Sequence, residues 1–340
     1  MKRLARTLAL ALTLGLPAAA AAQQPTPATP TAPATTPKVD FASVFKKANA
    51  AYNGGEYAEA IRGYRVAVAL EPARAETYRN MARAYFWLGQ YAAAVAYYDM
   101  FLTEFPDRAA DEQIQRERKL AASRAIEPWT TPADQRAALG KLQRELSRGA
   151  GLLADGSGSW TAYEGLLRTG YAHPNLIRLR ARVADALLRE HDDALAQRPS
   201  EPAPLLDLEA WALQRARLEA ASEIADEPRT RDAIARRGRL HVAATQLLLG
   251  RYVEAAAAAE AAAEANPDML FAQWFLVTAL MHANRPTDAL ARLDALVPRL
   301  RDEAPTLLPY ERIVRAIIFQ KVDRAPEAAD IYMEVLSRDL

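Results

Sequence analysis

The chain has 340 residues, a net charge of +1, a quarter of its residues charged and no cysteine. Without cysteine there is no disulfide, no thiolate metal site and no lipid attached through sulfur. Charges of both signs are interleaved along the chain, so no basic face for nucleic acid is expected. Half of the residues are hydrophobic, enough for a buried core.

Met1 to Ala22 begins with Lys2, Arg3 and Arg6, runs apolar from Leu8 to Leu16, and closes with Pro17 and an alanine tract. This is the pattern of a cleavable secretory signal, with Ala20 and Ala22 as the small residues before a cut at Gln23. The apolar run is shorter than the about 20 residues of a membrane span, so no integral span is expected after cleavage. Export without cysteine points to a bacterial envelope, with the mature protein periplasmic or secreted. What remains after cleavage carries 40 basic and 42 acidic residues, a net charge of −2. Residues 23–40 read as a linker. Pro25 to Pro37 contains only Pro, Thr and Ala and favours an extended spacer of about 40 Å, at about 3.1 Å per residue.

Folding begins at Phe41. From Ala75 to Arg108, Tyr78, Met81, Ala82 and Tyr85 recur at helical spacing, as do Tyr91, Ala94, Tyr98 and Phe101. Gly89 and Gln90 separate the two stripes and Pro106 ends the second, which predicts a helical hairpin. Phe41 to Arg74 repeats the plan 34 residues earlier: Gly55 matches Gly89, Tyr57 matches Tyr91, Ala60 matches Ala94, Tyr64 matches Tyr98 and Pro72 matches Pro106. A 34-residue period with these occupants resembles the tetratricopeptide repeat. The resemblance implies an all-α protein, a right-handed α-α superhelical solenoid of such hairpins, and a protein-binding concave surface. It names no partner.

Residues 109–235 keep a helical character while losing the repeat signposts. Asp111 to Arg124 reads as a charged helix ended by Glu127 and Pro128; Pro132 to Arg148 reads as another, capped by Thr131. Gly149 to Ser159 is glycine-rich, but no Lys-Ser/Thr pair follows and no strand precedes it, so it reads as a connection and not a phosphate loop. Trp160 to Tyr171 and Leu176 to Ala196 are helix patterns split at His173-Pro174-Asn175, and the run from Arg198 to Pro204 precedes a helix over Leu205 to Ala225.

Three repeat-like units are expected over residues 236–340. Ala243, Gly250, Tyr252, Ala255, Ala262 and Pro267 hold the family positions in the first. Its second helix, nearly all alanine from Ala255 to Ala265, is expected to pack tightly between neighbours. The next unit has Ala289 in place, with Asn284 for the turn glycine and Pro286 for the tyrosine. The last aligns through Ala316, Phe319, Ala328 and Tyr332 and lacks a polar capping helix. Its open face offers self-association through the C-terminal repeat. In all, about six or seven hairpins are expected.

In the tetratricopeptide family the first helix of each hairpin lines the concave surface. Carried over, that gives Phe45, Asn49, Tyr52 and Asn53 in the first unit, and Glu76, Arg79, Asn80, Arg83, Phe86 and Trp87 in the second. Arg79 and Arg83 beside Phe86 and Trp87 would suit a carboxylate or acidic peptide; the bland reading is solvated arginines and a packed Trp87. Phe271, Trp274, Thr278, Met281 and His282 fall on the same positions near the C-terminus and read as core. Chaperone-binding members of the family clamp a terminal carboxylate with asparagine and basic residues. Asn49 and Asn80 match that clamp, but Phe45, Ala110 and Ile114 stand where it needs basic ones.

The four histidines, His173, His191, His241 and His282, show no metal spacing, and the Glu190 to Asp193 group reads as a solvated helix end. No catalytic residue, cofactor or metal site is expected. The leading expectation is a non-catalytic scaffold of the bacterial envelope that binds a protein or extended peptide in its concave groove. One alternative is an envelope enzyme or carbohydrate-binding accessory with its site in the divergent middle. That reading predicts a deep pocket lined by paired carboxylates within residues 111–228. The other is a self-assembling structural protein.

Overall fold

A computed structural model describes residues 39–108, 110–126, 131–148, 159–169, 171, 173–196 and 208–338. The signal and linker readings, the Glu127-Pro128 stop, the Gly149 loop up to residue 158 and the Arg198 to Pro204 run lie outside the described residues. Among those described, every regular element is helical: α1 (Phe41–Asn53), α2 (Tyr57–Leu70), α3 (Ala75–Trp87), α4 (Tyr91–Glu104), α5 (Glu112–Ile126), α6 (Pro132–Arg148), α7 (Ser159–Arg168), α8 (Pro174–Ala196), α9 (Leu208–Ile224), α10 (Pro228–Leu248), α11 (Tyr252–Ala265), α12 (Leu270–His282), α13 (Pro286–Glu303), α14 (Leu308–Lys321) and α15 (Ala325–Arg338).

Five pairs, α1–α2, α3–α4, α10–α11, α12–α13 and α14–α15, close as antiparallel hairpins through one turn geometry. In each, a residue of positive φ ends the first helix: Gly55 (79°), Gly89 (78°), Gly250 (71°), Asn284 (56°) and Asp323 (58°). The next N–H then reaches back five residues, as from Gln90 to the Tyr85 carbonyl and from Arg285 to the Leu280 carbonyl, both at 2.9 Å. That bond satisfies a carbonyl the helix leaves without a partner. Asn284 takes the glycine place as the sequence predicts; Asp323 does so unannounced, since its short polar side chain tolerates the left-handed region.

Small residues let the paired helices approach. Ala60, Ala94, Ala255, Ala289 and Ala328 are all at most 1% exposed. Between α1 and α2 the approach is closer still, and a Cβ on Gly63 would lie 2.8 Å from that of Ala48. Tyr64 and Tyr98 fill the space beside the alanines, each fully buried, at about 1.5–3 kcal/mol for a side chain of this size.

The middle helices do not simply extend this stack. Asp111 caps α5 by accepting from the Gln113 and Ile114 N–H groups, and the Thr131 hydroxyl accepts from Asp134 N–H at the head of α6. It is α7 that packs across α4 and α5, while α6 lies against α7 and α8. Helix α9 then returns to lie along α2. The seam among α2, α3, α4 and α9 holds Arg65, Met81, Tyr97, Arg215 and Glu219 and has no room for a water molecule. As a result the second helices of the first two hairpins are enclosed: α4 is buried at nine of its fourteen positions, as expected for a helix apolar on all sides.

One expectation needs correction here. The register predicted from Arg236 belongs to a longer helix, because α10 starts at Pro228. The alanine-rich α11 packs tightly between α10 and α12, as expected; Ala255, Ala259 and Ala262 are buried, while Ala257, Ala261 and Val253 on its outer face meet solvent. Among the described residues five hairpins close by the shared turn, and α8 and α9 pack on each other as a further pair. At the far end α15 leaves Met333 68% exposed.

Candidate functional site

Helices α1, α3 and α5 are bridged by their side chains, and residues 34 apart on them occupy equivalent rungs. One set is Asn49, Arg83 and Glu117; the next is Tyr52, Phe86 and Leu120. The first set is internally satisfied. Asn49 Oδ1 accepts from the Tyr64 hydroxyl at 2.7 Å and from Asn80 Nδ2 at 3.1 Å. Burial raises the Tyr64 phenol to about 12, so it remains a donor.

Arg83 forks onto Glu117, with Nε 2.8 Å from Oε2 and Nη2 2.6 Å from Oε1. The Tyr98 hydroxyl adds a third bond to the same carboxylate at 2.9 Å. Burial alone would raise the Glu117 carboxyl, but the Arg83 and Tyr98 bonds outweigh it and hold it below its ordinary value. The expectation of two free arginine forks is therefore corrected at Arg83: its carboxylate is already supplied by this chain. Arg79 is half-buried, and its Nε has no partner among the described residues. The chaperone-type clamp loses its geometry as well, because Asn49 and Asn80 bond to each other and Ile114 is buried at 1% exposure.

The second set faces outward and joins an aromatic ledge at the hairpin turns. Trp87 is 60% exposed, yet its ring stacks on Tyr57 with centroids 6.4 Å apart and planes 19° from parallel. Phe86 meets Trp87 edge-on at 5.7 Å and Tyr91 at 5.2 Å, and Tyr52 meets Tyr57 at 5.6 Å. Burial raises the Tyr52 phenol, partly offset by a hydrogen bond from Trp87. Leu120, 50% exposed, continues the row onto α5. Asn53 is exposed near the ledge, Glu76 is exposed at the far end of α3, and Phe45 is half-buried, stacked on Phe41 at 5.2 Å. One face of Trp87 is thus held rigid while the other is open, a geometry that accepts an apolar, aromatic or guanidinium group without reordering.

Of the corresponding C-terminal positions, Phe271 and Trp274 are core at 4% and 3% exposure, Thr278 and Met281 are half-buried, and His282, expected in the core, is exposed and stacks on Tyr252. No described helix is long and apolar enough to cross a membrane. Among the described residues no group of three His or acidic side chains converges as a metal site.

A second cluster was invisible at the level of single helices. His191 is no solvated helix end: it is 0% exposed, and its Nε2 lies 3.0 Å from Nε2 of His241, itself 3% exposed. His191 Nδ1 is 2.9 Å from Asp192, whose carboxylate takes a fork from Arg237, with Nη2 at 2.7 Å. Trp211 stacks on His241 with centroids 4.2 Å apart. Burial depresses both imidazoles below their ordinary value. Partners 50 residues apart on α8 and α10 leave no spacing signal. Only the apolar stripe carrying His241 hints that it is buried.

This fold defines the class: among the described residues, an all-α protein of two-helix repeats. Residues 246–307, from the last turn of α10 through α13, match the family described as Tetratricopeptide repeat. Residues 5–108 match the Bacterial transcriptional activator domain, a span whose first part lies outside the described residues. No curated protein matches the chain. Among solved structures, a tetratricopeptide repeat protein from Parabacteroides merdae is 14% identical, covering 87% of this chain and 92% of its own with a TM-score of 0.28. The TPR2AB domain of yeast Sti1, solved with pHSP90, is 19% identical over 85% of this chain and 98% of its own, with a TM-score of 0.25. Yeast Tom70 is 13% identical over 88% and 76%, with a TM-score of 0.24.

Proposed function

We propose that this protein is a non-catalytic interaction scaffold of the bacterial envelope, holding a protein or extended peptide against the inner face of α1, α3 and α5. The observation that carries the reading is Trp87: a tryptophan 60% exposed but already stacked on Tyr57, continuous with the row Tyr52, Phe86 and Leu120. Exposed aromatic anchors in a fixed geometry supply binding energy at low ordering cost. The envelope location rests on the signal-like pattern of Met1 to Ala22.

An enzyme or sugar-binding site in the middle region calls for a pocket lined by free carboxylates. The carboxylates that gather there are taken by arginines: Asp99 by Arg118 and Arg168, and Glu164 by Arg168. A cleft of about 210 Å³ lies between α1, α2 and α9, and the two carboxylates that line it, Glu59 and Glu209, are both paired with Arg62.

Site-specific photo-crosslinking tests the scaffold reading. A crosslinker at position 87 should capture a protein that one at exposed Arg292 on α13 does not. The captured partner, purified, should bind a Trp87→Ala/Leu120→Ala chain at least about 30-fold more weakly, the loss typical of a tryptophan anchor, with helicity unchanged. Equal capture from both positions, or unaltered affinity, would reject this face as the interface.

A further inference from the structure

The His191 and His241 pair is unused by the inner-face reading, and its proton inventory is tightly determined. The Asp192 carboxylate can only accept, so His191 carries its proton on Nδ1 and leaves Nε2 as an acceptor. His241 must therefore donate from Nε2 across the 3.0 Å contact. That places its own lone pair on Nδ1, an atom with no partner among the described residues. A further proton has two places to go. On His241 Nδ1 it creates a buried imidazolium with no acceptor. On His191 Nε2 it sets two N–H groups against each other. Either one is accommodated by separating the rings or admitting water.

Burial and the nearby arginines oppose that charge; the Asp192 carboxylate against His191 favours it but does not outweigh them. On α8, Asp192 is committed to Arg237, and Glu190 to Arg217. From α9 come Arg217 and Arg215, the latter paired with Glu219, and from α10 comes Arg237. Arg65 on α2 stands beyond Arg217. Helix α12 contributes Phe271, against Trp211 at 6.3 Å. One turn along α10 from His241, Thr245 fastens α10 to α2 with its hydroxyl 2.8 Å from the Ala69 carbonyl. The pair thus sits where α8 and α9 meet the C-terminal hairpins.

We propose that His191 and His241 form an acid-operated latch: proton uptake by the pair parts α8 and α9 from α10 and loosens the hold of α10 on the first hairpin. Both imidazoles bind protons more weakly in the closed state than when exposed. Closure is therefore fully favoured above the ordinary histidine value of about 6.5 and lost as pH falls below it. The opening equilibrium rises up to tenfold per pH unit for one proton and up to hundredfold for two. Carboxyls at the α4–α7–α9 seam move the other way. Burial raises Glu164 and Glu223, so mild acid relieves that seam and confines opening to the latch.

Hydrogen–deuterium exchange on the purified chain at pH 7.5 and 5.5, corrected for intrinsic rates, reads this directly. Peptides of α8 and α10 should lose at least tenfold protection at pH 5.5, peptides of α3 and α4 should not, and a His191→Phe/His241→Phe chain should show no such change. Unaltered α8 and α10 protection in the parent chain, or equal loss in the double variant, overturns the latch. Should the double variant fail to fold, histidine C2-proton exchange on the parent chain decides. Both rings must titrate below 6.5, and either one at or above that value overturns the proposal.

Discussion

Thr245 on α10 places its hydroxyl 2.8 Å from the main-chain carbonyl of Ala69, across 176 residues of sequence, sharing its one proton with the His241 carbonyl a turn back, also at 2.8 Å. Ala69 lies in the last turn of α2, where a helix has no internal donor left for its carbonyls. Removing the hydroxyl should strand that carbonyl in a buried seam. Thr245→Val is expected to cost about 1–3 kcal/mol by urea denaturation, and Thr245→Ser to recover most of it. Equal losses in both would show that packing, not the bond, holds the seam.

Arg83 and Glu117 should behave as one unit. Each single change, Arg83→Gln or Glu117→Gln, removes charge-assisted bonds from a pair about one-quarter exposed and is expected to cost about 1.5–3 kcal/mol. A double-mutant cycle should give a coupling of at least about 1 kcal/mol. Additive losses would mean that the two side chains meet without holding each other.

The hairpins were legible because their signals are local: the glycine that turns, the alanine that permits approach, the tyrosine beside it. Glu117 was readable in principle, since it stands 34 residues beyond Arg83, but its sign had to be weighed against that of its neighbour across the rung. Two further features depend on contacts that no spacing encodes. The path of α9 along α2 is announced only by the unbroken apolar run Val66 to Leu70 that ends α2 and by α4 being apolar nearly all round, which a helix with a solvent face would not be. The His191 and His241 contact joins helices whose separation is set by that path.

Gly63→Ala should be poorly tolerated although it lies mid-helix, where alanine is the better helix former. The added Cβ would sit 2.8 Å from that of Ala48, and overpacking of this kind costs about 1–3 kcal/mol. Gly89→Ala should cost about 1–2 kcal/mol for another reason, its φ of 78°. Thermal melts distinguish the two sites: Ala48→Gly should rescue the first and leave the second unchanged.

Glu164 should destabilise the fold at neutral pH. It is 7% exposed, and burial raises its carboxyl above the ordinary 4.5 despite Arg168. The folded state therefore binds the proton more tightly than the unfolded chain. The penalty for ionising it is present above the folded value and relieved as pH falls through it. Glu164→Gln is expected to be more stable than the parent at pH 7.5, with the advantage shrinking toward pH 4.5 in urea titrations. A constant difference across that window would place the carboxyl in contact with water.

Open helical-repeat arrays behave as springs: each coil touches only its neighbours, so they stretch, fray from their ends and unfold coil by coil. Here α9, far along the chain, lies on the first hairpin. The coils between them are pinned at both ends like a hoop, so a pull on one hairpin is borne by the whole N-terminal half. The face carrying Trp87 is accordingly held in shape by contacts far from it in sequence.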